Sequence, residues 1–182
     1  MRALISLHDS TANALQAAAP ALLPTLARVL FALIFLVYYW NSAGLKFDGS
    51  IFSASAGAFG QIFPKAAEAA LYDVSQLNIL QRLVIFAGTV AEYVLPALIL
   101  IGLFTRLAAL AMIGFVAVQT LVDVAGHGVP LGGFFDSSIA LLDERTLWVF
   151  LLFVLVSLGA GPLSADRILS MITGGRQAET AA

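Results

Sequence analysis

The chain has 182 residues, 60% of them hydrophobic and only 11% charged, with a mean hydropathy of +0.96 and a formal net charge of −2. The length suits one domain, and so little charge cannot cover a soluble globule, a disordered chain or a coiled coil. The slightly acidic balance excludes nucleic-acid binding through a basic patch, the lack of cysteine excludes disulfides and thiol chemistry within this chain, and two histidines cannot make a three-histidine zinc site.

What remains is an all-α polytopic membrane protein, a four-helix bundle. A bilayer span needs about 20 mostly apolar residues, and four stretches qualify: 24–46, 79–104, 105–125 and 146–163. The runs are too long, and alternate too little, for a barrel. Residues 1–23 read as a cytoplasmic tail, partly helical on the surface. They do not read as a cleaved leader, because the apolar run 29–45 is long and many residues precede it.

Along the first span, Arg28, Ala32, Phe35, Tyr39, Ser42 and Lys46 recur at the spacing of one helix face. Arg28 and Lys46 then point the same way, roughly 27 Å apart, each near enough to an end to reach water by snorkelling. Tyr38, Tyr39, Trp40 and Asn41 bring rings and donors to the outer half. The first outer loop, 47–78, opens with a small-residue run over 53–58. Pro64 then starts a short helix through 65–72, expected to lie on the membrane.

The second span carries Arg82 near its start and Glu92 near its middle. An ionisable residue inside a span is a functional candidate by default. Gly88 stands one turn before Glu92 and Pro96 four residues after it, so the Glu92 carbonyl loses its helical donor and a bend is expected there. Residues 104–106 turn the chain into the third span, making a tight antiparallel hairpin. That span contributes Gln119 and, one turn on, Asp123, with His127 at its outer boundary. Glu92, Gln119, Asp123, Tyr39, Asn41, Arg82 and Lys46 can thus converge in the outer half of one bundle.

The second outer loop, 126–145, is turn chemistry: Gly126, Gly128, Pro130, Gly132 and Gly133. The fourth span ends in Gly159-Ala-Gly-Pro-Leu-Ser-Ala-Asp166, where the glycines and Pro162 stop a helix and Ser164 caps a new one. That amphipathic helix turns Ile168, Leu169 and Ile172 towards lipid, and 174–182 reads as a disordered tail. With four spans, Arg2, Arg28, Arg106, Arg167 and Arg176 share one side against Lys46, Lys65, Arg82 and Arg145, a slight bias placing both termini in the cytoplasm.

Each polar residue has a plain reading beside the functional one. Glu92 can pin helices by hydrogen bonding, Arg28 and Lys46 can anchor span ends, and the aromatic run can be an interfacial belt. His127 can be a loop residue. The small-residue faces permit a homodimer.

In order and spacing, these pieces resemble the DoxX family of bacterial membrane proteins. The resemblance rests on Arg28 opening the first span, Lys46 closing it, Glu92 in the second, the turn Leu100-Ile-Gly-Leu-Phe-Thr-Arg-Leu-Ala-Ala109 and the Gly-Ala-Gly-Pro-Leu-Ser-Ala-Asp ending. It covers about residues 26–169. The first outer loop is longer than the simplest members carry. The resemblance implies a four-helix bundle in the bacterial inner membrane. Some relatives are subunits of a thiosulfate:quinone oxidoreductase, some belong with oxidative-stress complexes, and some are encoded beside small secreted metal-binding peptides.

Two functions follow as expectations. One is a membrane subunit of a quinone-linked redox system, not catalytic alone. A quinone site needs an apolar slot, aromatic contacts, a few polar groups and a proton source. Glu92 would carry the proton, with Arg28, Tyr39, Asn41, Lys46, Arg82 and Gln119 binding the ligand. Electrons would come from a protein partner carrying a redox centre, since the chain has no cysteine ligands and its two histidines fall on opposite sides. The other is a non-enzymatic scaffold or small-molecule carrier. No metal site is expected.

Overall fold

A computed structural model describes residues 1–130 and 145–180. Most of the second outer loop, with Gly132, Gly133, Asp136, Asp143 and Glu144, lies outside the described residues.

Helix α1 runs unbroken over Arg2–Gly44. Residues 2–23, read from the sequence as a tail, continue the same helix. Pro20 and Pro24 each remove one backbone donor, and the alanines around them favour helix enough to carry it through. Only the second half packs. Its buried residues are Pro24, Ala27, Arg28, Phe31, Ala32, Phe35, Tyr39 and Ala43. At ~1.5 Å per residue that half matches a bilayer core of about 30 Å.

The first outer loop is a folded unit. Strands β1 (Phe47–Asp48) and β2 (Ser50–Ala54) form a two-stranded antiparallel hairpin. Helix α2 (Ala56–Ile62) follows, capped by the Ser55 hydroxyl, which accepts from Ala58 N. Helix α3 (Pro64–Ala69) starts at its proline, where the sequence places it, but ends sooner than expected. Ala54, Ala58, Phe59, Ala67 and Leu77 form a small core that closes on Ile85 of the next helix. The loop is therefore docked on the bundle through its own apolar residues.

Helix α4 (Ile79–Ile101) begins with a complete capping box, Asn78 with Gln81, and passes through Pro96. It ends at Gly102, which takes the left-handed conformation at φ 70°. Helix α5 (Thr105–Leu121) leaves almost at once and extends through a π-type turn over Val122–Gly126. Helix α6 (Arg145–Leu158) and helix α7 (Ala165–Thr180) complete the order. α1 packs on α4 and α6, and α5 packs on the same two. The shared core holds Phe31, Phe35, Tyr39, Met112, Trp148 and Leu152, with Ala27, Ala108 and Ala109 allowing close approach. Phe35 and Trp148 meet with ring centroids 4.4 Å apart.

Among the described residues, three helices, those over Arg2–Gly44, Ile79–Ile101 and Thr105–Gly126, are long and apolar enough to cross a membrane. α6 is apolar but shorter, 14 residues. It stops before the expected end of the fourth span because Gly159 and Gly161 take φ of 82° and 77°. α7 continues to Thr180, past the point where the sequence suggests a tail.

The end of the bundle bearing Arg28 is closed by a staple. The Arg28 guanidinium donates to Ala160 O at 3.0 Å and to Leu163 O. The Asp166 carboxylate accepts from Phe104 N at 2.7 Å and Thr105 N at 2.9 Å, at the start of α5. Asp166 N returns a bond to Gly102 O at 2.8 Å. Ser164 caps α7 by accepting from Arg167 N. Gly102 is required twice over: its φ is positive, and a side chain there would strike Arg28 and Ser164. Phe104 also sits at a positive φ of 48°, a conformation that costs energy unless its surroundings hold it.

Replacing Asp166 with Ala should therefore destabilise the fold by about 1–2 kcal/mol, the usual cost of a lost N-terminal cap. Asp166→Asn should lose less. Thermal unfolding in detergent followed by circular dichroism reads the difference, and equal midpoints would show that the staple carries no stability.

Candidate functional site

The other end of the bundle holds the ionisable pair. α1 stops at Gly44, and Ser55 ties the chain down there, its hydroxyl donating to Leu45 O and its amide to Lys46 O. Lys46 is thereby turned inward and is 5% exposed, while Glu92 on α4 is 3% exposed. Lys46 Nζ and Glu92 Oε1 are 2.5 Å apart. The Ser42 hydroxyl donates to the same oxygen at 3.2 Å. Glu92 Oε2 is buried and has no hydrogen-bond partner. One carboxylate oxygen is thus doubly used and the other is left over.

Beside this pair, Gln119 bridges two tyrosines. The buried Tyr39 hydroxyl lies 3.4 Å from Gln119 Oε1, to which it donates, and Gln119 Nε2 donates to the Tyr38 hydroxyl at 3.1 Å. One turn on, Asp123 pairs with Arg145 at 2.6 Å, and Arg145 also donates to the Thr120 hydroxyl at 2.9 Å. Trp40 Nε1 donates to the Tyr93 carbonyl at 3.1 Å, on the turn of α4 that follows Glu92.

Lys46, Glu92, Gln119, Tyr38 and Asp123 border a cavity of about 160 Å³. A dry cavity of roughly 150 Å³ holds one benzene ring. Its wall comes from four elements: Tyr38 on α1, Gln61 and Ile62 on α2, Val84, Gly88 and Glu92 on α4, and Phe115, Val118 and Gln119 on α5. Lys46, Val122 and Asp123 complete it. The result is an apolar slot with an aromatic wall, an amide, a phenol and an ion pair.

Of the residues singled out from the sequence, Glu92, Lys46, Gln119 and Asp123 meet at this cavity. Tyr39 stands one layer behind, bonded to Gln119. Arg28 is at the opposite end, engaged by carbonyls. Arg82 turns to the loop, donating to Leu77 O at 3.1 Å and Val74 O at 2.9 Å. Asn41 is exposed on the outside of α1. Arg28 and Lys46 do not snorkel to water as the sequence suggests: both are buried, at 6% and 5% exposure. A partner inside the bundle satisfies each charge without extending a long side chain.

Sequence reasoning places Tyr38 in the outer half and Ser42 on the Lys46 face of α1 without assigning either to the site, and does not pair Arg145 with Asp123. Ser42 was detectable, since it precedes Lys46 by one helical turn. Arg145 opens α6 and comes to Asp123 only through the packing of α5 on α6. Gln61 and Ile62 carried no signal. His127 is more than a loop residue: its Nε2 lies 2.8 Å from Gln61 O.

Breaking a buried ion pair on one side strands a charge and typically costs about 3–5 kcal/mol, whereas removing both charges is often neutral. Lys46→Met or Glu92→Leu alone should each lower the unfolding midpoint sharply, and the double replacement should recover most of the loss. Additive losses in the double variant would mean that the two side chains are not coupled.

Comparison of the chain with protein-family models, with curated proteins and with solved structures finds no match.

Proposed function

We propose that this chain is a DoxX-like bacterial inner-membrane protein of four spans, with both termini in the cytoplasm, that binds a quinone-type head group as a subunit of a quinone-linked oxidoreductase or oxidative-stress system. The observation that carries this reading is the leftover Glu92 Oε2, a buried acceptor without a partner in a residue lining a cavity of one-ring size. A buried polar atom left unsatisfied costs about 1–3 kcal/mol. A site that keeps one is suited to a ligand donor or to a proton.

The chemistry follows from the lining. Phe115 and Tyr38 offer aromatic faces, and Gln119 offers an amide that can turn to a ring oxygen. Reduction of a quinone to a quinol adds two electrons and two protons. The electrons come from a protein partner carrying a redox centre. The Lys46–Glu92 pair holds an exchangeable proton at the cavity wall, gives it to a ring oxygen, and is reprotonated from water at its own end of the bundle, once per electron.

A second reading is a scaffold or small-molecule carrier. The observation that favours it is how fully the remaining charges are used internally: Arg28 and Asp166 in the staple, Asp123 with Arg145. The two readings separate on one experiment. Small molecules are extracted from gently purified protein and identified by mass spectrometry, beside Glu92→Gln and Gln119→Leu. The second variant leaves the ion pair intact. A quinone enriched with the parent and at least tenfold depleted in both variants supports the redox subunit. A folded parent with no enriched quinone moves the assignment to the scaffold.

A further inference from the structure

The cavity has two boundaries of different kinds. Towards the loop it is roofed. Gln61 and Ile62 of α2 and Val122 and Asp123 of the π-type turn form that side. The two elements are latched together, with His127 Nε2 2.8 Å from Gln61 O. Gly126 lies so close to Pro64 that a Cβ there would stand 3.0 Å from the proline ring. A side chain there would press on the proline ring.

Towards the side of the bundle the cavity is framed differently. Val84, Gly88 and Glu92 are spaced by four along α4, so they form one stripe that leads from the bundle surface to the carboxylate. Val118 of α5 stands opposite and is 59% exposed, and Val84 is 39% exposed. Gly88 is the middle residue of the stripe, and a Cβ built on it meets no atom within 4 Å. The frame is apolar and belongs to two helices long enough to cross a membrane.

We infer that the gap between α4 and α5 at Gly88 is a lateral window through which the site takes its ligand from the bilayer, so that the ligand class is an amphiphile with a ring-sized polar head and an alkyl tail lying in the window. The inference rests on the proposed head-group site and adds the ligand's second half and its route. Gly88 is then a specificity-determining position: the missing side chain leaves room for the tail. The latched roof excludes water-soluble molecules of the same head-group size. The head reaches Glu92 and Gln119 while the tail remains among lipid chains, so binding does not require the apolar tail to leave its solvent.

The test uses the full chain in lipid vesicles. The probes are a benzoquinone carrying a ten-carbon alkyl tail and the same ring carrying a methyl group in its place. Binding is read by quenching of the emission of Trp40 and Trp148. The variants are Gly88→Phe, which fills the window, and Val118→Trp, which narrows it from the other helix should the first fail to fold. The added indole is corrected for against the variant without probe. Gly114→Phe on α5 is a control, since Gly114 also has open space around it but is not part of the cavity wall. His127→Ala releases the roof.

The parent should bind the tailed probe at least tenfold more tightly than the methyl probe, after correction for partition into lipid. Gly88→Phe or Val118→Trp should erase that preference. Gly114→Phe and His127→Ala should keep the preference. Unchanged binding of the tailed probe to a folded Gly88→Phe and Val118→Trp overturns the window while leaving the head-group site standing. A response to His127→Ala alone overturns it in favour of entry through the roof. If the parent binds neither probe, the quinone-type reading itself fails and the window fails with it.

Discussion

The ion pair between Lys46 and Glu92 joins the end of α1 to the middle of α4 where neither charge has water. A charge in such a place is tolerated only when paired and hydrogen-bonded. Much of the local architecture serves that requirement. Gly44 ends the helix, Ser55 holds the following turn, and Ser42 adds a donor to the same carboxylate oxygen. The β-hairpin and α2 follow from that anchored turn, and they roof the cavity. The pair thus fixes where the outer loop begins and which way it folds.

The opposite end solves the same problem without a direct carboxylate partner. The two terminal nitrogens of Arg28 donate to carbonyls released where glycine and proline break the chain between α6 and α7, while its Nε is buried without a partner. Asp166 is satisfied by amides at the start of α5. Both devices use backbone groups that a helix terminus leaves unpaired. The two ends therefore differ in kind. One is a closed staple in which strain at Phe104 is held by hydrogen bonds. The other places a carboxylate with an unused oxygen in a residue that lines a cavity. That asymmetry is the reason to place ligand chemistry at the Lys46 end and packing at the Arg28 end.

Much of this was legible before any coordinates. The spacing of Arg28, Ala32, Phe35, Tyr39 and Lys46 marked one face of a helix, and all five are buried. Ser164 as a cap and Pro64 as a helix start were readable because capping chemistry is local. Glu92 stood out because a carboxylate within an apolar run is costly. The fates of Arg82 and Asn41 were not readable. Arg82 sits in the first turn of α4, about 15 Å along the axis from Glu92, and takes the loop carbonyls, while Asn41 is left on the outside of α1.

The sequence by itself determined a membrane-compatible helical chain, the face of α1 that turns inward and the presence of a buried carboxylate. These follow from hydropathy and the 3.6-residue period, which act over a few turns. Only the tertiary structure decided that Lys46 folds back onto Glu92, that Arg28 is spent on the α6–α7 link, and that Arg145 takes Asp123. It also decided that a gap remains at Gly88 while the roof is shut by His127 and Gln61. Such choices depend on which residues distant in the chain arrive at the same depth and rotation. In a low-dielectric interior each charge takes the nearest partner that packing provides.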